Sequence, residues 1–264
     1  MTTSDVDKGY VRSFRRALQG EEQLIGLWSG LCSNMVTEIL ADAGFDWIVL
    51  DNEHAPNGVA GTLSQLQAMK GGTAAPVVRV PWNDPVLIKR YLDIGAETLL
   101  VPLVDTPEQA RAAVRATRYP STGVRGAAGG HRASRYGRDR DYLRTANERV
   151  GLIVQVETAT AVSNLPEIAR VDGVDGVFIG PSDLSASMGF LGQPRHPEVR
   201  GKMAEALAIC QDIGMPAGTL APDMAIAQEH LEAGFKFVAT GSDIIVLVRG
   251  TDELVAGLKG AART

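Results

Sequence analysis

Gly151-Leu152-Ile153-Val154-Gln155-Val156-Glu157 and, one helix-length interval later, Gly176-Val177-Phe178-Ile179-Gly180-Pro181-Ser182-Asp183 are the segments that decide the fold. Each is an apolar run that leads into a carboxylate. Parallel strands buried on both faces read as near-continuous apolar runs. Two such runs joined by a helical interval make a βαβ unit. Chemistry in α/β proteins gathers at the carboxyl ends of these strands, which is where Glu157 and Asp183 stand. An earlier segment has the same form: Trp47-Ile48-Val49-Leu50 leads into Asp51-Asn52-Glu53-His54.

Outward from these segments, apolar runs at 24–28, 47–50, 77–80, 98–101, 151–156, 176–179, 217–220 and 237–240 predict strands. Helical spacing lies between them, as in Val36-Ile39-Leu40-Ala43, Leu87-Ile88-Tyr91-Leu92 and Met203-Ala206-Leu207-Cys210. Gly44, Gly71, Gly95, Gly214 and Gly234 are placed to close helices in the left-handed conformation. Eight strand–helix repeats in ~250 residues is the arithmetic of an α/β protein of the (β/α)8 TIM-barrel type. The competing architecture is an open doubly wound sheet. Its glycine fingerprint is missing after the first strand, where the chain reads Ser29-Gly30-Leu31-Cys32-Ser33.

No break in composition divides the chain, so 1–264 is expected to form a single barrel domain. The segment 118–141 is rich in Gly and Arg and longer than an ordinary βα loop. It reads as a lid or subunit contact, or as a tolerated insertion. The amphipathic tail 244–258 either closes the barrel or reaches a neighbouring subunit.

Bulk composition narrows the function. The 264 residues are 45% hydrophobic and 22% charged, with a formal net charge of −5. No basic field exists to attract nucleic acid. Cys32 and Cys210 are too few for a disulfide framework and suit a reducing compartment. No apolar run approaches the ~20 residues a membrane helix needs, and residues 1–9 are polar rather than signal-like. A cytoplasmic protein with no membrane partner is the expectation.

Glu157 and Asp183 follow consecutive strands, and neighbouring strands lie ~4.8 Å apart. Both carboxylates can therefore reach one ion. With no His or Cys beside them they favour a hard divalent cation, Mg2+ or Mn2+, with positions left for water and substrate. The plainer reading makes Ser182-Asp183 a helix cap before Leu184. Among the four histidines (His54, His131, His196, His230) only His54 follows a strand end. It is a general base or a hydrogen-bonded loop residue. Arg79, at the end of an apolar strand, is an anion clamp at the barrel mouth or the partner of a buried carboxylate such as Asp51.

None of the six lysines (Lys8, Lys70, Lys89, Lys202, Lys236, Lys259) ends a strand, which disfavours Schiff-base chemistry. G-x-S-x-G and G-x-x-x-x-G-K-[ST] are also absent. The remaining set suits proton abstraction or C–C cleavage next to a carbonyl.

At these residues the chain resembles the HpcH/HpaI family of metal-dependent aldolases, from about Gly26 to Arg249. The resemblance is carried by Gly26-Leu27-Trp28, Ala43-Gly44-Phe45-Asp46-Trp47, Glu53-His54-Ala55-Pro56-Asn57, Arg79 with Trp82-Asn83-Asp84-Pro85, and Ala116-Thr117-Arg118-Tyr119-Pro120. Further blocks are Gln155-Val156-Glu157-Thr158, the run from Gly173 to Pro181, and Asp183-Leu184-Ser185.

The resemblance implies that Glu157 and Asp183 hold the metal (Mg2+ or Mn2+, with Co2+ a further option). It implies that Arg79 contacts the keto and enolate oxygen of a pyruvate-type unit. His54 would act as base through a water, with Asp93 as its orienting partner. Gln155 and Ser182 would line the 2-oxo acid pocket, with the Ser182 and Asp183 backbone near its carboxylate. Arg132 would reach a neighbouring subunit's site to meet the aldehyde, in a hexamer with exchanged C-terminal helices.

Two departures stand out. Asn52 occupies a position where the family commonly has glycine, and asparagine tolerates a left-handed backbone. The loop from Gly126 to Arg132 is one residue short, so the aldehyde is not carried over from the family. The expected activity is a class II aldolase, which reversibly cleaves 4-hydroxy-2-oxo acids to pyruvate, or a near analogue such as hydroxypyruvate, and an aldehyde. The alternatives are a CoA-thioester lyase of the malyl- or citramalyl-CoA type and a non-catalytic barrel that binds 2-oxo acids.

Overall fold

In the computed structural model, which describes residues 13–261, eight parallel strands pair in chain order and the last closes on the first. The strands are β1 (Leu24–Ser29), β2 (Trp47–Asp51), β3 (Ala75–Arg79), β4 (Thr98–Val101), β5 (Gly151–Val156), β6 (Gly176–Ile179), β7 (Ala217–Ala221) and β8 (Phe237–Ser242). The helices are α1 (Phe14–Leu18), α2 (Asn34–Ala41), α3 (Val59–Ala68), α4 (Pro85–Asp93), α5 (Pro107–Thr117), α6 (Tyr142–Arg149), α7 (Ala159–Ile168), α8 (Pro181–Ser187), α9 (Pro197–Ile213), α10 (Met224–Ala233) and α11 (Asp243–Ala261). This is the closed (β/α)8 barrel and not the open sheet.

All eight expected strands form. The third begins at Ala75, earlier than its apolar pattern suggests, because Pro76 takes a ladder position opposite Ile48. The five expected helix-closing glycines all have positive φ, and Gly214 and Gly234 are the left-handed caps of α9 and α10. The polar stretch 1–9, with Lys8, lies outside the described residues. No helix among the described residues is long and apolar enough to cross a membrane.

Strand alternation sorts side chains into two layers. Leu24, Trp47, Val49, Val77, Leu100, Ile153, Phe178 and Phe237 fill the barrel interior together with Phe14 and Leu18 of α1. Leu27, Ile48, Leu50, Val78, Leu99, Leu152 and Val177 face the helices. The interior core seals the floor. Phe14 packs against Trp47 at 5.2 Å and edge-on to Phe237 at 5.5 Å. Gly26 and Gly218 make room for these rings, since an added Cβ would sit 2.3 Å from the Trp47 ring and 2.1 Å from that of Phe237.

The segment 118–141 is folded against α4. Arg125 has no exposed side-chain surface; it donates to Asp93 Oδ1 at 2.8 Å and lies over the ring of Tyr119 at 4.5 Å. At the other end of the chain, Asp243 grips the β1 exit, accepting from Ser29 Oγ at 3.0 Å and from the Gly30 and Leu31 amides at 2.9 and 3.2 Å. Beyond that anchor α11 does not close the barrel of its own chain. Val246 is 62% exposed and Leu258 75%.

Candidate active site

The β2–β3 register sets Asp51 directly beside Arg79. The pair is bidentate: Arg79 Nε donates to Asp51 Oδ1 at 2.8 Å and Nη2 to Oδ2 at 2.7 Å. The third guanidinium nitrogen, Nη1, lies 2.8 Å from Glu53 Oε2. The guanidinium also stands over the Trp28 ring at 4.7 Å. Asp51 folds the turn after it by accepting from the amides of Glu53 (3.0 Å) and His54 (3.4 Å). Burial works to raise the Asp51 carboxyl, but the Arg79 hydrogen bonds and charge win and hold it below its ordinary value. Of the two readings of Arg79, the geometry shows the pairing with a buried carboxylate, Asp51. The pair stands at the mouth.

The β5–β6 side is different. Glu157 is buried; its Oε1 accepts from the Leu103 amide at 2.9 Å and its Oε2 from Gln155 Nε2. Leu103 reaches this contact with a left-handed backbone, φ +51°, a conformation uncommon for a non-glycine residue. Burial pushes the Glu157 carboxyl up to about 7; the Gln155 and Leu103 hydrogen bonds oppose this, and the charges of Asp183 and Glu53 add to it. Glu53 is likewise pushed up to about 7, by burial first, with Arg79 opposing and Asp51 and Asp183 reinforcing. Glu53, Glu157 and Asp183 thus share one electrostatic neighbourhood. Asp183 stands in the first turn of α8, half-buried, with exposed Ser182 before it.

The donor set can be tested against a divalent cation. Among the described residues no group of three or more His, Cys, Asp or Glu side chains forms a metal cage. An ion here would use the two carboxylates of Glu157 and Asp183 and keep positions for water and substrate, which is how Mg2+ is commonly held. Two further observations fit. Gln155 Oε1 is buried with no hydrogen-bond partner. Gly180, level with Glu157 across the ladder, keeps space open there: an added Cβ would lie 2.5 Å from Glu157 Oε2.

Of the remaining residues, His54 stands beside Glu53, whereas Asp93 and Arg132 are engaged along α4. The His54 side chain is 62% exposed, and its Nε2 lies 3.9 Å from Glu53 Oε1. Within one chain Asp93 is engaged by residues other than His54. It ends α4, receives Arg125, and stands 3.5 Å from His131 Nε2, because the segment 118–141 folds over it. Arg132 donates to Ile94 O at 2.8 Å and Leu66 O at 3.3 Å. Gly95 admits it, since a Cβ there would lie 2.5 Å from Arg132 Nη1. Within one chain Arg132 is thus laid along the end of α4.

Sequence reasoning missed Glu53, Arg125 and Leu103. Glu53 carried a signal, for it lies two residues beyond Asp51 and so faces Arg79 from the same side. Leu103 carried none, since its part is played by the backbone.

The family model for HpcH/HpaI aldolase/citrate lyase matches residues 24–249. The chain is 50% identical over 253 residues to 4-hydroxy-2-oxo-heptane-1,7-dioate aldolase of Klebsiella pneumoniae subsp. pneumoniae, covering 96% of each chain. It is likewise 50% identical over 245 residues to the Escherichia coli aldolase of that name, covering 92% of this chain and 94% of the relative. Among solved structures, an HpcH/HpaI aldolase/citrate lyase family protein from Burkholderia cenocepacia J2315 superimposes with TM-score 0.90 at 45% identity, covering 93% of this chain and 98% of that one. The chain belongs to the HpcH/HpaI aldolase/citrate lyase family.

Proposed function

We propose that this protein is a class II aldolase, a carbon–carbon lyase that reversibly cleaves 4-hydroxy-2-oxo acids to pyruvate, or a close analogue, and an aldehyde. The observation that carries the reading is the acid-rich β5–β6 exit, Glu157 with Asp183, set beside the Arg79 clamp. Family membership and the aldolase names of its relatives support the reaction class.

Glu157 and Asp183 would hold the divalent cation, Mg2+, Mn2+ or Co2+. Bound there, it supplies chelation of the 2-oxo acid and charge neutralisation as the enolate develops. Arg79 binds the developing oxyanion, and its orientation is set in advance by Asp51. Gln155 fixes the Glu157 carboxylate and, with Ser182, lines the pocket for the acid. His54 moves the proton of the substrate hydroxyl through a water, a path its exposure allows. The exposed apolar stripe of α11 is the surface on which copies associate, with a hexamer as the expected assembly. Arg132 and Asp93 would then serve a neighbouring copy's site.

The test is pyruvate release from a panel of 4-hydroxy-2-oxo acids after EDTA treatment, with and without added Mg2+, Mn2+ or Co2+. Release restored by metal is the expected result. A folded, metal-loaded protein that releases nothing overturns the reading in favour of a thioester lyase or a binding protein.

A further inference from the structure

Asn52 lies between two residues whose side chains face the Arg79 clamp, and strand alternation turns its own side chain the other way, behind the site. The asparagine is buried, and it does not adopt the left-handed backbone expected of it, for it is not among the described residues with positive φ. Instead it uses its whole hydrogen-bonding capacity. Its Nδ2 donates to Leu50 O and to Arg79 O, both at 3.2 Å. Its Oδ1 accepts from Thr62 Oγ1 on α3 at 2.6 Å and from Tyr91 Oη on α4 at 3.1 Å. The Asn52 amide also donates to Arg79 O at 3.1 Å. A primary amide offers two donors and two acceptor sites, and all four are taken. Thr62 and Tyr91 are themselves buried. Their hydroxyls would stand unpartnered opposite a glycine.

We infer that Asn52 is a positioning residue for Arg79: its amide locks the β2 and β3 exits in one register, and the hydroxyls of Thr62 and Tyr91 hold that amide in place. The lock fixes the carbonyl of Arg79 itself and the backbone on which Asp51 and Glu53 stand. The guanidinium and both its carboxylate partners are thereby aligned from behind. In this chain a polar triad has taken over a position that glycine commonly fills in the family it resembles. The turnover part of the inference rests on the aldolase reading; the backbone part does not.

The deciding comparison sets the parent chain against Asn52→Gly and against the triple variant Asn52→Gly/Thr62→Val/Tyr91→Phe. The single change strands two buried hydroxyls and should lower the melting temperature. The triple change removes those hydroxyls and should recover most of that loss. In the triple variant the amides of residues 52–54 should exchange with deuterium about tenfold faster than in the parent, as local opening becomes easier. Its kcat for metal-dependent pyruvate release should fall about tenfold, with a smaller change in KM.

Asn52→Asp is the second variant. It keeps the shape and both hydroxyl bonds but loses the donors at neutral pH. Its exchange should be fast there and return toward the parent's as the introduced carboxyl protonates. Thr62→Val/Tyr91→Phe with Asn52 intact keeps the Nδ2 donors but loses the hydroxyls that hold the amide, so its kcat should fall between those of the parent and the triple variant.

Parent-like exchange in both Asn52 variants overturns the lock. Fast exchange with parent-like kcat reduces Asn52 to a structural residue and overturns its positioning role. A parent chain that releases no pyruvate defeats the aldolase reading, and the exchange measurements still decide the lock.

Discussion

The two sides of the barrel mouth treat buried acid in opposite ways. At the β2–β3 exit, Asp51 meets Arg79 in a two-point ion pair, and its carboxyl sits below the ordinary value. At the β5–β6 exit, Glu157 is as deeply buried, is approached by Asp183 and Glu53, and is held by an amide side chain and a backbone N–H; its carboxyl rises to about 7. One side supplies its own counter-charge. The other is built to receive one. The difference teaches that burial alone does not decide the fate of a carboxylate: at Asp51 the hydrogen bonds and charge of Arg79 together outweigh desolvation, whereas at Glu157 two hydrogen bonds do not.

The comparison can be broken most severely at Arg79. Arg79→Ala leaves Asp51 and Glu53 buried without their cation. It should destabilise the fold by about 3–5 kcal/mol and cut turnover about a thousandfold or more, read by thermal melts and pyruvate release. Near-parent turnover would remove Arg79 from the chemistry.

Glu157→Gln tests the receiving side. Metal binding by calorimetry and turnover should fall together, turnover by about a hundredfold or more, while the metal-free fold is at least as stable as the parent's because a buried charge is gone. A variant that binds metal as the parent does would reassign the site. Gly180→Ala is milder. Its methyl would press on Glu157 Oε2, so metal affinity should drop about tenfold with the melting temperature little changed.

The smallest effect is a pH slope in the metal-free protein. Glu157 and Glu53 have carboxyls raised to about 7. A raised acid stabilises the fold below its unfolded value, and that contribution disappears as pH rises through the folded one. Metal-free stability should therefore decline between about pH 4.5 and 7, by about 1–3 kcal/mol. Saturating Mg2+ or Glu157→Gln should flatten the decline. Asp51 acts in the opposite sense, and its contribution is lost as pH falls through its depressed folded value. A metal-free melting curve flat across that window would show that the β5–β6 exit is already neutralised.

Much of this was legible in the chain because apolar runs and their terminal residues are local signals. The eight strands, the glycine caps and the strand-end positions of Arg79, Glu157 and Asp183 all follow from short windows of sequence. What escaped is non-local. Arg125 meets Asp93, Tyr119 and Tyr142 only after the segment 118–141 folds back, and no spacing rule connects those positions. Within the chain the fold gives Asp93 to Arg125, a pairing that no local signal announces. Asn52 was read for its backbone tolerance, yet its side chain does the work, joined to Thr62 and Tyr91 on two different helices.

The aromatic floor has a kinetic consequence. With Phe14, Trp47 and Phe237 packed together across its interior, the barrel is a filled core and not a tube. A ligand at the strand exits therefore comes and goes on the side where Arg79 and Glu157 stand. In the proposed reaction, with the acid fragment held against Arg79 and Gln155, the aldehyde is expected to depart first and pyruvate last. Initial-rate product inhibition should then find pyruvate competing with the substrate and the aldehyde not.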